Sequence, residues 1–295
     1  MPVVSLRAIL DQALQQHYAV GYFEAWDLYS LQAVIETAEA LHSPAILGFG
    51  GAVTNPAWLN AGGVEALAAV ARVLAERASV PTAVLFNEAQ THAQAVRGLA
   101  AGCNCVMLDS SHLPAAEHAA ATAELARAAH AAGAVVEAEL GHLPTAGDPS
   151  ETGHATDPAE AARFVTATGI DVLAVSIGNV HLLSDGQAAL DLDLLERIGA
   201  AVPGVPLVLH GGTGIPAAAI GPAIARGVAK VNYGTRLKQE FLAGVQAGLG
   251  ALPSPLNIHT VIGSRDATDL LLQGQARVRV LLRELTELYG SAGRA

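Results

Sequence analysis

Val-Pro-Leu-Val-Leu-His-Gly-Gly-Thr-Gly, residues 205–214, is a short apolar run that ends on a histidine and breaks into glycines. An unalternating apolar run of this length reads as a strand of a parallel sheet, buried on both faces. The same design recurs on either side. Val-Ala-Lys-Val (228–231) ends on Asn232, and Asp-Val-Leu-Ala-Val-Ser (171–176) leads to His181. Ala-Val-Val-Glu-Ala (134–138) ends on Glu139, Asn-Cys-Val-Met-Leu (104–108) on Asp109, and Thr-Ala-Val-Leu-Phe (82–86) on Asn87-Glu88. Polar side chains capable of binding a metal or a phosphosugar thus collect at strand ends, where a (β/α)8 barrel builds its active site.

Extending the pattern gives eight strands: Tyr18–Phe23, Pro44–Phe49, Pro81–Phe86, Cys103–Leu108, Ala134–Ala138, Asp171–Ser176, Pro206–Leu209 and Gly227–Val231. Helical periodicity separates them, at Tyr29–Leu41, Gly63–Ala75, Gln90–Leu99, Pro114–Ala132, from Asp157-Pro158, and near Asp191–Ala201, Pro216–Arg226 and Arg236–Leu249. Alternating strands and helices make a parallel sheet, and eight strands close it. An open doubly wound sheet would call for a glycine fingerprint after strand one. Gly-Tyr-Phe-Glu-Ala-Trp (21–26) is not one. The expected fold class is therefore α/β, a TIM barrel spanning residues 1–295 as one domain, with an additional C-terminal helix at Asp266–Tyr289. Residues 141–156 read as one long irregular loop.

Hydrophobic residues make up 52% and charged residues 15% of the chain. That balance excludes a disordered protein. The net charge of −11 argues against nucleic-acid and anionic-membrane partners, so any phosphate must be held by local backbone N–H groups. The N-terminus shows no signal-peptide pattern, and no apolar stretch spans a membrane without a charge or breaker. Cys103 and Cys105 alternate along an apolar run. They are expected on one face as reduced core thiols, consistent with a cytoplasmic protein.

The two histidines closing strands six and seven, His181 and His210, stand among carboxylates at neighbouring strand ends. Imidazole and carboxylate suit Zn²⁺, Mn²⁺ or Fe²⁺. Gly211, Gly212, Thr213 and Gly214 run into a helix start, and Asn232, Tyr233, Gly234 and Thr235 repeat that arrangement after strand eight. Exposed N–H groups there make anion nests, and barrels frequently hold phosphate after strands seven and eight. Lys230 shares parity with Asn232 and should point inward. It could form a Schiff base with a ketose, but neutralisation by Asp109 or a phosphate is the favoured reading.

At this point the sequence resembles the class II, metal-dependent ketose-bisphosphate aldolases, nearly end to end. The resemblance rests on Ser43-Pro44-Ala45-Ile46, Val106 to His112, Ala129-His130, Val136 to Gly141, Ile177 to His181, Leu209 to Gly214, Lys230-Val231-Asn232 and the Tyr289–Ala295 tail. It implies a lyase that cleaves or forms a phosphorylated ketose through a metal-stabilised enediolate. It further implies a divalent cation, Zn²⁺ first and Mn²⁺ or another ion second, a cytoplasmic homodimer or homotetramer, and a small phosphosugar substrate. Two of the family's three metal histidines match His181 and His210. Counterparts of Asp109 and Glu139 sit beside the metal. The phosphate of a dihydroxyacetone-phosphate unit lies on loops matching Gly211 to Thr213 and Asn232 to Thr235.

The departures are equally specific. The first metal histidine is replaced by Glu88, and the proton-transferring aspartate by Asn87, which cannot transfer a proton. Glu88 either completes the metal set or takes over as acid/base, with Asp109 or Glu139 completing coordination. A glycine after the second metal histidine is Leu182, an asparagine after strand one is Glu24, with Trp26 nearby, and a serine after strand two is lost in 48–51. Only Asp148 and the nearby Glu151 could replace the acid of the loop after strand five. These changes predict a less polar or differently shaped acceptor half. A phosphosugar-binding subunit without catalysis and a phosphosugar isomerase or epimerase are the rival expectations.

Overall fold

A computed structural model describes residues 3–148, 152–252 and 254–295. Eight parallel strands form a closed barrel in sequence order: β1 (Val20–Phe23), β2 (Ala45–Gly50), β3 (Thr82–Ala89), β4 (Cys105–Leu108), β5 (Val135–Leu140), β6 (Val172–Val175), β7 (Leu207–Leu209) and β8 (Val228–Tyr233). The expected strands are all present, within about three residues at each end. The expected TIM barrel is thus the observed fold.

Alternation sorts each strand into two environments. Outward residues such as Phe49, Phe86, Val106, Val175, Leu209 and Val231 join one large core with the surrounding helices. Inward residues such as Val20, Tyr22, Ile46, Leu85, Cys105, Val172 and Val208 fill the barrel. Its lower end is closed by the helix Leu6–Gln16, whose Leu6, Ile9, Leu10 and Ala13 join that interior cluster. The sequence reading passed over this helix, although the spacing 6, 9, 10, 13 is that of a helix face.

Cys103 and Cys105 do not share a face. β4 begins at Cys105, which points into the barrel, while Cys103 lies before the strand in the outer core. Strand parity does not extend to a residue outside the strand. Burial pushes the Cys103 thiol up to about 12, so it is inert at neutral pH. The C-terminal helix runs Leu270–Leu288, shorter than expected, because Asp269 caps it by accepting from the Leu271 N–H. The segment Pro56–Arg77 is long and apolar enough to cross a membrane by length and composition. Here its Leu59, Val64, Leu67, Ala68, Ala71 and Ala75 pack into the outer core.

Candidate active site

The uppermost inward positions define one cleft of about 270 Å³ at the C-terminal end of the barrel. That size suits a small molecule and not a polymer. Its walls include Glu24, Asn87, Glu88, Asp109, Glu139, His181, Leu182, His210, Gly211 to Thr213 and Asn232 to Thr235. Most of the residues singled out in the sequence therefore meet in one place.

At its centre, ligand atoms of Glu88, His181 and His210 lie within 4.8 Å of one another. Glu88 Oε1 is 3.1 Å from His210 Nδ1 and 3.8 Å from His181 Nε2. Glu139 Oε2 is 3.3 Å from His210 Nδ1 and 3.9 Å from His181 Nε2. Ligands at tetrahedral zinc distances sit roughly 3.4 Å apart, so this spacing fits a divalent ion. His181 Nε2, His210 Nδ1 and Glu139 Oε2 are buried without an aligned hydrogen-bond partner. Buried polar atoms are seldom left in that state, and their convergence is what a cation would satisfy. Glu139, more than Asp109, is the carboxylate beside both imidazoles; Asp109 Oδ1 faces His112 Nδ1 at 3.9 Å.

Glu88 reaches this position through an irregularity at the end of β3, where the register against β4 shifts between Phe86 and Ala89. Its φ is +51°. This left-handed conformation costs a non-glycine residue about 1–2 kcal/mol. Burial opposes ionisation of Glu88, but the His210 hydrogen bond and the charges of His210, His181 and Lys230 outweigh it and hold its carboxyl at about 2.

Below the cleft lies a buried charge network that the sequence reading missed. Lys230 Nζ donates to both carboxylate oxygens of Glu137, at 2.9 and 2.7 Å, and to Asn232 Oδ1 at 2.6 Å. The Lys230 counter-ion is therefore Glu137, not Asp109 or a phosphate, because closing the barrel brings β5 across the interior from β8. Fully buried and paired, Lys230 is withdrawn from Schiff-base chemistry. Glu137 also accepts from His210 Nε2 at 3.0 Å. A carboxylate can only accept, so Nε2 carries a proton, and Nδ1 is the nitrogen turned to the cleft, where a bound cation would replace its proton. The alternation Glu137, Glu139 on one strand was the available signal: both had to face inward.

Backbone contacts hold the imidazoles in place. Asn179 Nδ2 donates to the His210 carbonyl at 3.0 Å. The described residues of the loop 141–156 carry no helix or strand, as expected, but are tied down by isolated bridges: His142 pairs with His154, and Thr145 with His181. His181 N donates to the Pro144 carbonyl, and Ala146 N to the His181 carbonyl. His118, also unforeseen, lies within hydrogen-bonding distance of Ser110 Oγ through Nδ1 (2.9 Å) and of the Glu139 carbonyl through Nε2 (3.0 Å), tying the ends of β4 and β5 together.

The two glycine loops, 211–213 and 232–235, both line the cleft. Gly211 has φ +70°, and a Cβ there would lie 2.1 Å from the Val180 carbonyl oxygen. Only glycine fits. It opens a left-handed turn into 212–214. Opposite, the helix Thr235–Gly250 begins at Gly234 with no side-chain cap. The Leu237 and Lys238 N–H groups turn back to the Gly234 carbonyl, while the positive end of the helix dipole lies at Gly234 and Thr235 beside the cleft. Thr213 Oγ1 accepts from Arg236 N at 3.3 Å and joins the two loops.

At the end of β1, against Gly234, Glu24 pairs with Lys238 at 3.2 Å, and burial raises its pKa despite that partner. Asp109 is likewise raised, by burial first and then by the Glu88 charge. Leu182 is 49% exposed at the cleft mouth with φ +53°. Two candidates fall outside the lining. Trp26 packs edge-on to Phe241 at 5.5 Å and takes Lys238 over its ring, because β1 has ended and the Asp27 cap turns the chain away. Asp148 is exposed on the loop beyond Thr145. Glu151 lies outside the described residues.

Comparisons with known proteins agree with this arrangement. The family model "Fructose-bisphosphate aldolase class-II" matches residues 4–294. A probable fructose-bisphosphate aldolase of Bacillus subtilis (strain 168) is 36% identical, over 94% of this chain and 97% of its own. A fructose-bisphosphate aldolase of Geobacillus stearothermophilus is 34% identical, over 100% and 99%. The crystal structure of the YdjI aldolase from Escherichia coli K12 superposes with a TM-score of 0.82, at 31% identity and 99% coverage of each chain. With a closed barrel, a His-His-carboxylate cluster and paired glycine loops at its C-terminal end, the chain belongs to the class-II fructose-bisphosphate aldolase family, whose members are aldolase-type carbon–carbon lyases.

Proposed function

We propose that this family member cleaves or forms a ketose phosphate whose donor half resembles dihydroxyacetone phosphate, as one cytoplasmic barrel unit assembled into a homodimer or homotetramer. The observation that supports it best is the convergence of buried, unpartnered Nδ1, Nε2 and carboxylate atoms beside two glycine loops. Glu88, His181 and His210 would hold a divalent ion, Zn²⁺ or Mn²⁺, with Glu139 as a further oxygen ligand. Such an ion, when bound, supplies Lewis-acid polarisation of the donor carbonyl.

The remaining work belongs to the chain's own groups. N–H groups of Gly211 to Thr213 and of Gly234 and Thr235 bind the phosphate. Asn232, locked by Lys230, orients the donor between them. In the synthetic direction the donor's hydroxymethyl carbon loses a proton, the new C–C bond forms at the aldehyde carbon, and the aldehyde oxygen gains a proton. Asn87 cannot move either proton. Asp109 lines the same wall, with its backbone N–H on the Ala89 carbonyl. Its raised pKa suits it to exchange a proton with the aldehyde oxygen.

Metal analysis and kinetics separate the roles. Glu88→Gln should lose bound metal and turnover together. Asp109→Asn should keep its metal and lose about 10²–10⁴-fold in kcat. Protein that carries no stoichiometric metal, and whose lyase activity survives EDTA, would overturn the metal assignment. An Asp109→Asn enzyme with unaltered kcat would remove the proton-transfer role.

A further inference from the structure

The closed ring of strands places the ends of β3 and β4 opposite those of β7 and β8. If the donor phosphate lies on the 211–213 and 234–235 loops, the acceptor aldehyde must lie against the opposite wall. That wall presents Ala52, Val53, Asp109, Ser110, Leu143 and Leu182. Its carboxylate is Asp109, with the His112 imidazole 3.9 Å away, and the nearby lysines and arginine are already engaged. Lys230 is spent on Glu137, Lys238 pairs with Glu24, and Arg236 pairs with Glu240 at 2.8 Å. Among the described residues lining the cleft there is neither lysine nor arginine. Asp109 remains 41% exposed toward the space the acceptor would fill.

We infer that the acceptor is an uncharged, hydroxylated aldehyde, so that the full substrate is a ketose carrying a single phosphate. This inference rests on the aldolase reading above. A phosphate on the acceptor, close to a dianion, would stand beside Asp109 with no lysine or arginine of its own, and like charges repel strongly at the low effective dielectric of a cleft. The hydroxyl of Ser111 and the apolar faces of Val53, Leu143 and Leu182 instead suit a short polyol chain lying along the wall.

Condensation of dihydroxyacetone phosphate with glyceraldehyde and with glyceraldehyde 3-phosphate by the metal-loaded enzyme tests this. The expected kcat/KM for glyceraldehyde exceeds that for its phosphate by about tenfold or more at low ionic strength, and the gap narrows as salt screens the acidic wall. Val53→Arg, which places a cation there, should shift the ratio toward the phosphorylated aldehyde by about fivefold or more. Equal or better use of glyceraldehyde 3-phosphate by the unmodified enzyme overturns the inference. Exchange of the donor's hydroxymethyl proton with deuterated water, followed in the absence of any aldehyde, reports the donor half alone. Exchange without condensation onto either aldehyde overturns the acceptor inference and leaves the donor reading standing. No exchange and no condensation sinks the aldolase reading and this inference with it.

Discussion

The two halves of the cleft are held by different means. The half at β7 and β8 rests on buried charge: His210 is 1% exposed, Glu137 and Lys230 are fully buried, and Asn179 fixes the His210 backbone. The half at β3 and β4, with Leu182 at the seam, rests on local backbone conformation. Glu88 and Leu182 hold φ of +51° and +53°, and Leu182 and Asp109 are open to solvent. A buried network cannot lose one member without stranding another in low dielectric. An exposed strained position can change its side chain at small cost. The β7–β8 half is thus constrained by folding itself, and the β3–β4 half is free to vary without unfolding the barrel.

The strongest way to break this comparison is to remove Lys230. Lys230→Met keeps roughly the volume but takes the cationic partner from the buried Glu137 carboxylate, leaving it the His210 Nε2–H, which should cost about 3 kcal/mol. Urea denaturation of the metal-free proteins reads this directly. A loss under about 1 kcal/mol would mean that the network is not what stabilises this half. The partner substitution sharpens it: adding Glu137→Leu to Lys230→Met should recover much of the loss, since both charges are then gone. In that double variant His210 Nε2 has lost its acceptor, so metal affinity should stay about 10–100-fold down even where stability returns.

Much of this network was half legible in the sequence. The parity of Lys230 and Asn232 placed both inside the barrel, and the apolar runs ending at His181 and His210 gave the strand ends. What a sequence could not supply was the partner across the interior. Ala-Val-Val-Glu-Ala hides Glu137 in an apolar run, and only closure of the ring brings β5 to face β8. Trp26 failed for the opposite reason. Parity from Glu24 would point it inward, but the strand has ended and the Asp27–Ser30 capping box turns the chain. Side-chain direction is predictable inside regular elements and lost where caps and turns begin, which is where this cleft's acceptor wall is made.

A smaller break acts on the 211–213 loop. Gly211→Ala demands a Cβ 2.1 Å from a carbonyl oxygen in a left-handed conformation, so the turn must shift. The conformational part alone is about 1–2 kcal/mol. The expected result is a raised KM for dihydroxyacetone phosphate, with metal content unaltered because His210 is anchored from below by Glu137. A KM that stays constant would detach the 211–213 loop from phosphate binding.

The smallest effect, and the one that bears most directly on the difference between the halves, comes from Leu182→Gly. Leucine sits there at φ +53°. Relative to a residue at ease in that conformation it costs about 1 kcal/mol. Glycine removes that cost but adds about 0.5–1 kcal/mol of chain entropy in the unfolded state. The two nearly cancel, so the unfolding free energy should move by less than about 1 kcal/mol. Side-chain burial adds little, since Leu182 is 49% exposed. If stability is flat, any change in the glyceraldehyde KM must come from the leucine's contact with the acceptor and not from loosening of the loop. The neighbouring His181 backbone is held independently by Pro144 and Ala146, so metal content should not follow the substitution. A loss of stability above about 2 kcal/mol, or a loss of metal, would show that this position is tied into the buried half after all and that the two halves are not separately held.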